Sequence, residues 1–152
     1  MAGLKHYDET GVVALEFLVL FPLIVAMLYA AAAYGIVFFT KYKMQGAVSN
    51  AVNAALYVDR SAYPGGTGSE EVGGAVLGRA KSVLDEAISK LTLEGLSGNC
   101  TPNTLANNVE VIQCTLTYTN MDNLVPIISF GWLGQFPPLP SDGLKVTASA
   151  AF

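Results

Sequence analysis

GVVALEFLVLFPLIVAMLYAAAAYGIVFF, residues 11–39, holds a single ionisable side chain, Glu16, and its reading decides what the rest of the chain can be. At about 1.5 Å rise per residue, a helix over the uncharged run after Glu16 is long enough to cross a hydrocarbon core roughly 30 Å thick. Lys41 and Lys43 end the run. A membrane span is therefore the expectation. One turn inside its start stands a carboxylate, where an unpaired charge costs up to a few kcal/mol, less near the interface than at mid-bilayer. Glu16 needs a partner or a proton.

Gly11 is followed by the apolar Val12 and, in the fifth place after the glycine, by Glu16. This arrangement resembles the cleavage and methylation signal of type IV prepilins. The continuation through Val13-Ala14-Leu15-Glu16-Phe17-Leu18-Val19-Leu20-Phe21-Pro22, with proline five residues after Phe17, resembles the TadE-like minor pseudopilins of tight-adherence pili. The resemblance implies that prepilin peptidase cuts between Gly11 and Val12 and methylates the new amine of Val12. It also implies that Glu16 neutralises a nearby N-terminal ammonium inside the membrane or the subunit bundle. The domains that follow are a leader over residues 1–11, a transmembrane helix over 12–40 and a pilin-like extracytoplasmic head over 41–152. The expected place is the bacterial inner membrane with the head in the periplasm, and incorporation into a pilus is a further expectation. The implied partners are other pilin-like subunits, the pilus assembly machinery and prepilin peptidase. A major filament subunit would share every N-terminal feature, but the major pilins of this system are much shorter, so the size of the head argues for a minor role. The other alternative is an unprocessed bitopic membrane protein with an interaction or adhesion head.

Residues 1–10 set Lys5 and His6 against Asp8 and Glu9, and so lack the basic excess of most secretory and prepilin leaders. Lys41 and Lys43 would weigh for a cytoplasmic C-terminal side. Cys100, Cys114 and a strand-rich tail weigh for an exported one. A cleavable signal peptide ending in the alanines at 30–33 would need an apolar region of about 7–15 residues, shorter than the run found here. Within the span, Pro22 removes a backbone donor and is expected to loosen or kink the helix. Ala26 with Ala30, and Ala31 with Gly35, have the spacing that lets two helices approach closely in lipid, or are simply alanine-rich helix.

The chain has 152 residues, 52% hydrophobic and 13% charged, with net charge −4. Removing an anchor leaves enough for one modest head. An acidic chain without clustered Lys and Arg argues against nucleic acid. Cys100 and Cys114 lack a companion for a zinc site, because the only histidine is His6, across the span. A disulfide in an oxidising periplasm fits better than two reduced thiols. No cofactor or metal is expected. Without a downstream histidine, a nucleophile–base pair has nothing to use, and the adjacent carboxylates Glu70–Glu71 and Asp85–Glu86 point apart on a helix, so no catalytic residues are expected.

After the lysines, Met44, Val48, Ala51, Ala55 and Val58 form an apolar stripe at spacings of three and four, and the first helix is expected to run on to about Asp59. Residues 63–68, YPGGTG, are a turn-rich break. Thr67 and Glu70 have capping-box spacing, and Val72, Val76, Ala80, Val83, Ala87 and Leu91 form the face of a second helix, with Leu84 and Ile88 beside it. Gly73, Gly74 and Gly78 weaken it by roughly 1 kcal/mol each, so its start frays or meets another backbone closely. Gly73-Gly74 lacks the Lys-Ser/Thr pair of a phosphate loop. Residues 109–119 alternate, with Ile112, Cys114, Leu116 and Tyr118 on one side and Gln113, Thr115 and Thr117 on the other, and 144–152 is a second strand to pair antiparallel. The fold class is α+β: a long N-terminal helix, a second helix and a small antiparallel sheet. Between the strands, residues 123–141 carry no charge and are too broken by Pro and Gly for a second span. Ile127, Phe130, Trp132 and Phe136 in this loop either cover the head's own core or contact the membrane interface or another subunit.

Overall fold

A computed structural model describes the chain except residues 1–9, 64–69, 105–108, 130, 139, 141 and 152, and the side chains of 10–12 and 133. It comprises two compact units, Met1–Gly35 and Ile36–Phe152. The fold is α+β, with a long N-terminal apolar helix, a second helix and a small antiparallel sheet.

Helix α1 (Thr10–Leu56) continues through Pro22 without interruption. In the first unit, every side chain from residue 13 to residue 28 is exposed, an apolar surface that in water would be a large liability. Among the described residues α1 is the one helix long and apolar enough to cross a membrane. In the second unit its character changes. Met44, Ala47, Val48, Ala51, Val52 and Ala55 are buried, a stripe at spacings of three and four. The helix stops at Leu56 rather than near Asp59, because the Asp59 carboxylate is used otherwise. It accepts from the Ser61 backbone N–H at 3.0 Å and the Ser61 hydroxyl at 2.6 Å, capping a 3-10 turn over Arg60–Ala62. These bonds hold the Asp59 pKa below the usual carboxylate value. Val58 is left half-buried beyond the helix end.

Helix α2 (Glu70–Leu91) carries Glu70 and Glu71 in its first turn and Lys90 in its last, both favourable to the helix dipole. Thr67 of the expected capping box lies outside the described residues. The buried face is Val72, Val76, Ala80 and Leu84, with Val83, Ala87, Ile88 and Leu91 half-buried. The stripe is thus centred on Leu84, one position round from the expected Val83. The three glycines are helical, and a Cβ on any of them would meet nothing within 4 Å. The expected close approach to another backbone is therefore absent at Gly73, Gly74 and Gly78.

The main sheet has three strands, β1 (Leu96–Thr104), β2 (Glu110–Tyr118) and, after the two strands of the intervening loop, β5 (Leu144–Ala151), in the order β1-β2-β5. Both pairings are antiparallel, and Leu96, Tyr118 and Leu144 share one terminal row. Ile112, Cys114, Leu116 and Tyr118 are buried, while Gln113, Thr115 and Thr117 are half-exposed on the other side, the alternation that a one-sided sheet requires. On the outer face the Thr115 and Thr147 hydroxyls lie 3.3 Å apart. β1 is the strand that sequence texture does not announce. Helix α2 packs over it at Gly98, where a Cβ would come within 2.8 Å of Ile88 Cδ1 and 2.9 Å of Leu84 Cδ2. The missing side chain lets the helix lie close.

Residues 119–143 leave the sheet at Tyr118 and return at Leu144. They form 3-10 turns at Met121–Asn123 and Gly131–Leu133, and a two-stranded hairpin of β3 (Ile128–Ser129) and β4 (Gln135–Phe136). The return needs Gly143. Its φ is +73°, and a Cβ there would run into the Tyr118 carbonyl oxygen and come within 3.2 Å of Thr119 Cα. Gly143→Ala pays about 1–2 kcal/mol for a left-handed backbone plus a clash with main chain that cannot rotate away. We expect a loss of at least about 2 kcal/mol in chemical unfolding of the full chain in detergent, against no change for Gly74→Ala or a gain of a few tenths to 1 kcal/mol.

Candidate functional site

Three groups of residues carry functional expectations. Gly11 and Val12 occupy the first turn of α1, with their side chains outside the described residues. Glu16 follows one turn later and is exposed, left uncovered by the other described residues. Residues 12 and 16 are four apart on one helix, hence on one face. A carboxylate here is aimed at the same side as the position of an amine that cleavage after Gly11 would create. Close by, the Phe17 and Phe21 ring centroids are 5.8 Å apart on the apolar flank. The small residues Ala26, Ala31 and Gly35 are exposed, Ala30 is half-buried, and a Cβ on Gly35 would meet nothing within 4 Å. Of the four residues whose spacing would allow close helix packing, all but Ala30 are open in the single chain.

In the head, Cys100 and Cys114 lie directly opposite each other in the β1–β2 register and are bonded, with their Cα atoms 4.0 Å apart. Both are buried. The bond joins an edge strand poor in apolar side chains to the central strand. A separation of 14 in sequence corresponds to a loop whose closure is worth about 3 kcal/mol in the chain-entropy model. Replacing both cysteines with serine should lower the unfolding free energy by about that much. The intact mass of wild-type protein should rise by two hydrogens on reduction. Freely alkylated thiols in protein taken from the periplasm would contradict it.

The loop residues separate. Ile127 and Phe136 are half-buried, with Phe136 paired across the hairpin to Ile128, and Phe130 lies outside the described residues. Trp132 is 92% exposed. The buried side chains of this segment are others, Met121, Val125 and Pro137.

One feature carried no sequence signal. The last turn of α2 and α1 residues flank an open cleft of about 430 Å³, lined by Lys43, Asn50, Lys90 and Thr92 among others. Lys43 stands 4.5 Å over the Phe39 ring, a contact between the last apolar turn and the first basic one. Lys90 is held by Glu86 at 2.6 Å, and this partner lowers the Glu86 pKa. Thr92, just past the helix end, has φ 48°, a position that glycine or asparagine usually fills. Nothing in the sequence marks that strain.

An N-terminal helix able to cross a membrane, followed by a small disulfide-bonded α+β head, defines a membrane-associated protein with a helical anchor. Residues 11–53 match the model of the family described as TadE-like protein. The match takes in Gly11, Val12, Glu16, Pro22 and the first part of the buried stripe. The match covers residues 11–53 alone and leaves out α2 and the sheet. Neither a curated protein nor a solved structure matched the chain in the corresponding comparisons.

Proposed function

We propose that the protein is a minor pseudopilin that takes part in assembly of a tight-adherence pilus as a substrate and component rather than a catalyst. The observation that carries this reading is the TadE-like match over residues 11–53, which coincides with an apolar helix holding one exposed carboxylate one turn from Val12. In this reading prepilin peptidase removes residues 1–11, leaving the anchor (12–40) and the head (41–152), and methylates the Val12 amine. The head stands in the periplasm, where an oxidising environment maintains the Cys100–Cys114 bond.

The pairing of Glu16 with a Val12 ammonium follows from charge cost. Two unpaired charges in hydrocarbon are each expensive, and bringing them together offsets both penalties at low dielectric. Own-chain pairing and pairing with a neighbour satisfy the same charges. Only the second sets subunit register.

The test is removal of the chain from cells that make such pili. Pilus number should fall to near zero and return with wild-type protein supplied in trans. Unchanged pili would end the assembly role. Abundance in sheared filaments separates the minor from the major reading: a trace component is expected, and a dominant band would make it the shaft subunit.

A further inference from the structure

The cleft of about 430 Å³ lies wholly within the second unit, and its two walls differ in charge. On α1 the lining residues Lys43, Gly46, Ala47 and Asn50 are spaced by three and four, so they share one helix face. Lys43 makes no ion pair among the described residues, and its ammonium rests over the Phe39 ring. Asn50 adds an amide at the far end of the same wall. Between them Gly46 contributes no side chain, and a Cβ there would meet nothing within 4 Å. This wall therefore carries one cation that the protein does not neutralise, beside open space.

The opposite wall is the end of α2. Lys90 lines it, but Glu86 holds its ammonium at 2.6 Å, and the pair has no net charge. What remains is the C-terminus of a 22-residue helix, whose last carbonyls lack intrahelical partners and carry partial negative charge. A left-handed residue past a helix end commonly brings a backbone N–H back to those carbonyls. Thr92 has that conformation, with φ 48°, yet among the described residues no backbone N–H beyond it donates to the Lys90 or Leu91 carbonyl. The cleft thus sets acceptors with no protein donor opposite a cation with no protein anion.

We propose that this cleft binds a phosphoethanolamine group, a phosphate with an ammonium two carbons away. The phosphate accepts from Lys43 and Asn50, and the ammonium donates to the free carbonyls at the end of α2 and to the Thr92 hydroxyl. A simple anion would face the negative end of the helix, and a simple cation would face Lys43. The zwitterion satisfies both walls. No carboxylate lines the cleft, so the phosphate meets no like charge there. The group has two sources, a phospholipid headgroup and free O-phosphoethanolamine. In the same unit, one turn before Lys43, Ile36, Phe38 and Phe39 are exposed, an apolar surface for acyl chains that favours the headgroup. The site goes beyond the pilus reading and stands whether or not that reading does.

Full-length protein in dodecyl maltoside, a detergent without phosphate or amine, is titrated with phosphatidylethanolamine, phosphatidylglycerol or O-phosphoethanolamine, and bound ligand is counted by native mass spectrometry. Wild type should take one phosphatidylethanolamine per chain, several-fold more tightly than phosphatidylglycerol, which keeps the phosphate and lacks the ammonium. Lys43→Gln should weaken that binding about tenfold or more, as loss of a charge-assisted hydrogen bond does. Glu86→Gln releases Lys90, makes both walls cationic and should reverse the order of the two lipids. Lys43 and Glu86 are exposed, so both variants should keep the wild-type circular dichroism, and a reversed preference is not a folding defect. Binding of O-phosphoethanolamine that Lys43→Gln abolishes would support a free ligand, and binding only with acyl chains attached would support the headgroup. Equal affinity for the two lipids in wild type, binding unchanged in Lys43→Gln, or binding of neither lipid nor O-phosphoethanolamine overturns the proposal.

Discussion

Gly11→Leu is expected to yield a larger, uncut protein that stays in the membrane and does not reach the pilus. A protease that takes a residue with no side chain before the scissile bond has no room for a branched one, and rejection of this kind is steric rather than a lost contact. Gly11 lies one residue into α1, so the bond to Val12 sits in a first turn whose N–H groups have no intrahelical partners and which opens at small cost. Leucine does not hinder insertion, because it is lipid-compatible, and it favours the helix by roughly 1 kcal/mol over glycine. Processing should therefore fall to an undetectable level on gels while protein level holds. Gly11→Ala, adding one methyl, should be cut slowly. Wild-type processing of Gly11→Leu would show that the Gly-Val junction is not the site.

Glu16→Ala should insert, be cut and yet fail to assemble. Alanine removes the membrane cost of the carboxylate and leaves the helix intact, since alanine has the highest helix propensity. Under the proposed processing it would leave behind an ammonium in hydrocarbon. Breaking one side of a buried pair costs about 3–5 kcal/mol, which corresponds to a loss of roughly a hundred- to several-thousand-fold in subunit association. Glu16→Asp should retain part of it, limited by reach. Co-purification with other pilin-like subunits reads the effect directly. Undiminished association and pilus formation at wild-type protein level would mean that the carboxylate is a passenger or pairs only within its own chain.

Much of this architecture was legible because periodicity and burial report the same physics. The apolar run, the stripe from Met44 to Ala55 and the alternation from Ile112 to Tyr118 are each stretches where one face meets an apolar neighbour, and the structure buries those faces of the head. β1 was not legible. LSGNCTPNT has the composition of a turn, and it forms a strand because an edge position tolerates Pro102, because α2 needs the space over Gly98, and because Cys100 is bonded to Cys114 across the register. All three reasons are tertiary. The end of α1 moved from Asp59 to Leu56 through a side chain that chose a cap over another turn. For the candidate site, the Gly11–Val12–Glu16 spacing could be read directly, as could the apolar loop. Sequence could not say that Trp132 points outward while Met121 and Val125 are buried, since all three are apolar residues in a stretch without periodicity.

The central claim is a processed pilin-like subunit, and the intact mass of wild-type protein purified from membranes tests it most directly, in cells with and without working prepilin peptidase. With the peptidase, the chain should begin at Val12 and carry one added methyl group on its amine; without it, the chain should retain residues 1–11. A chain that keeps the segment through Gly11 alongside a working peptidase would contradict the account.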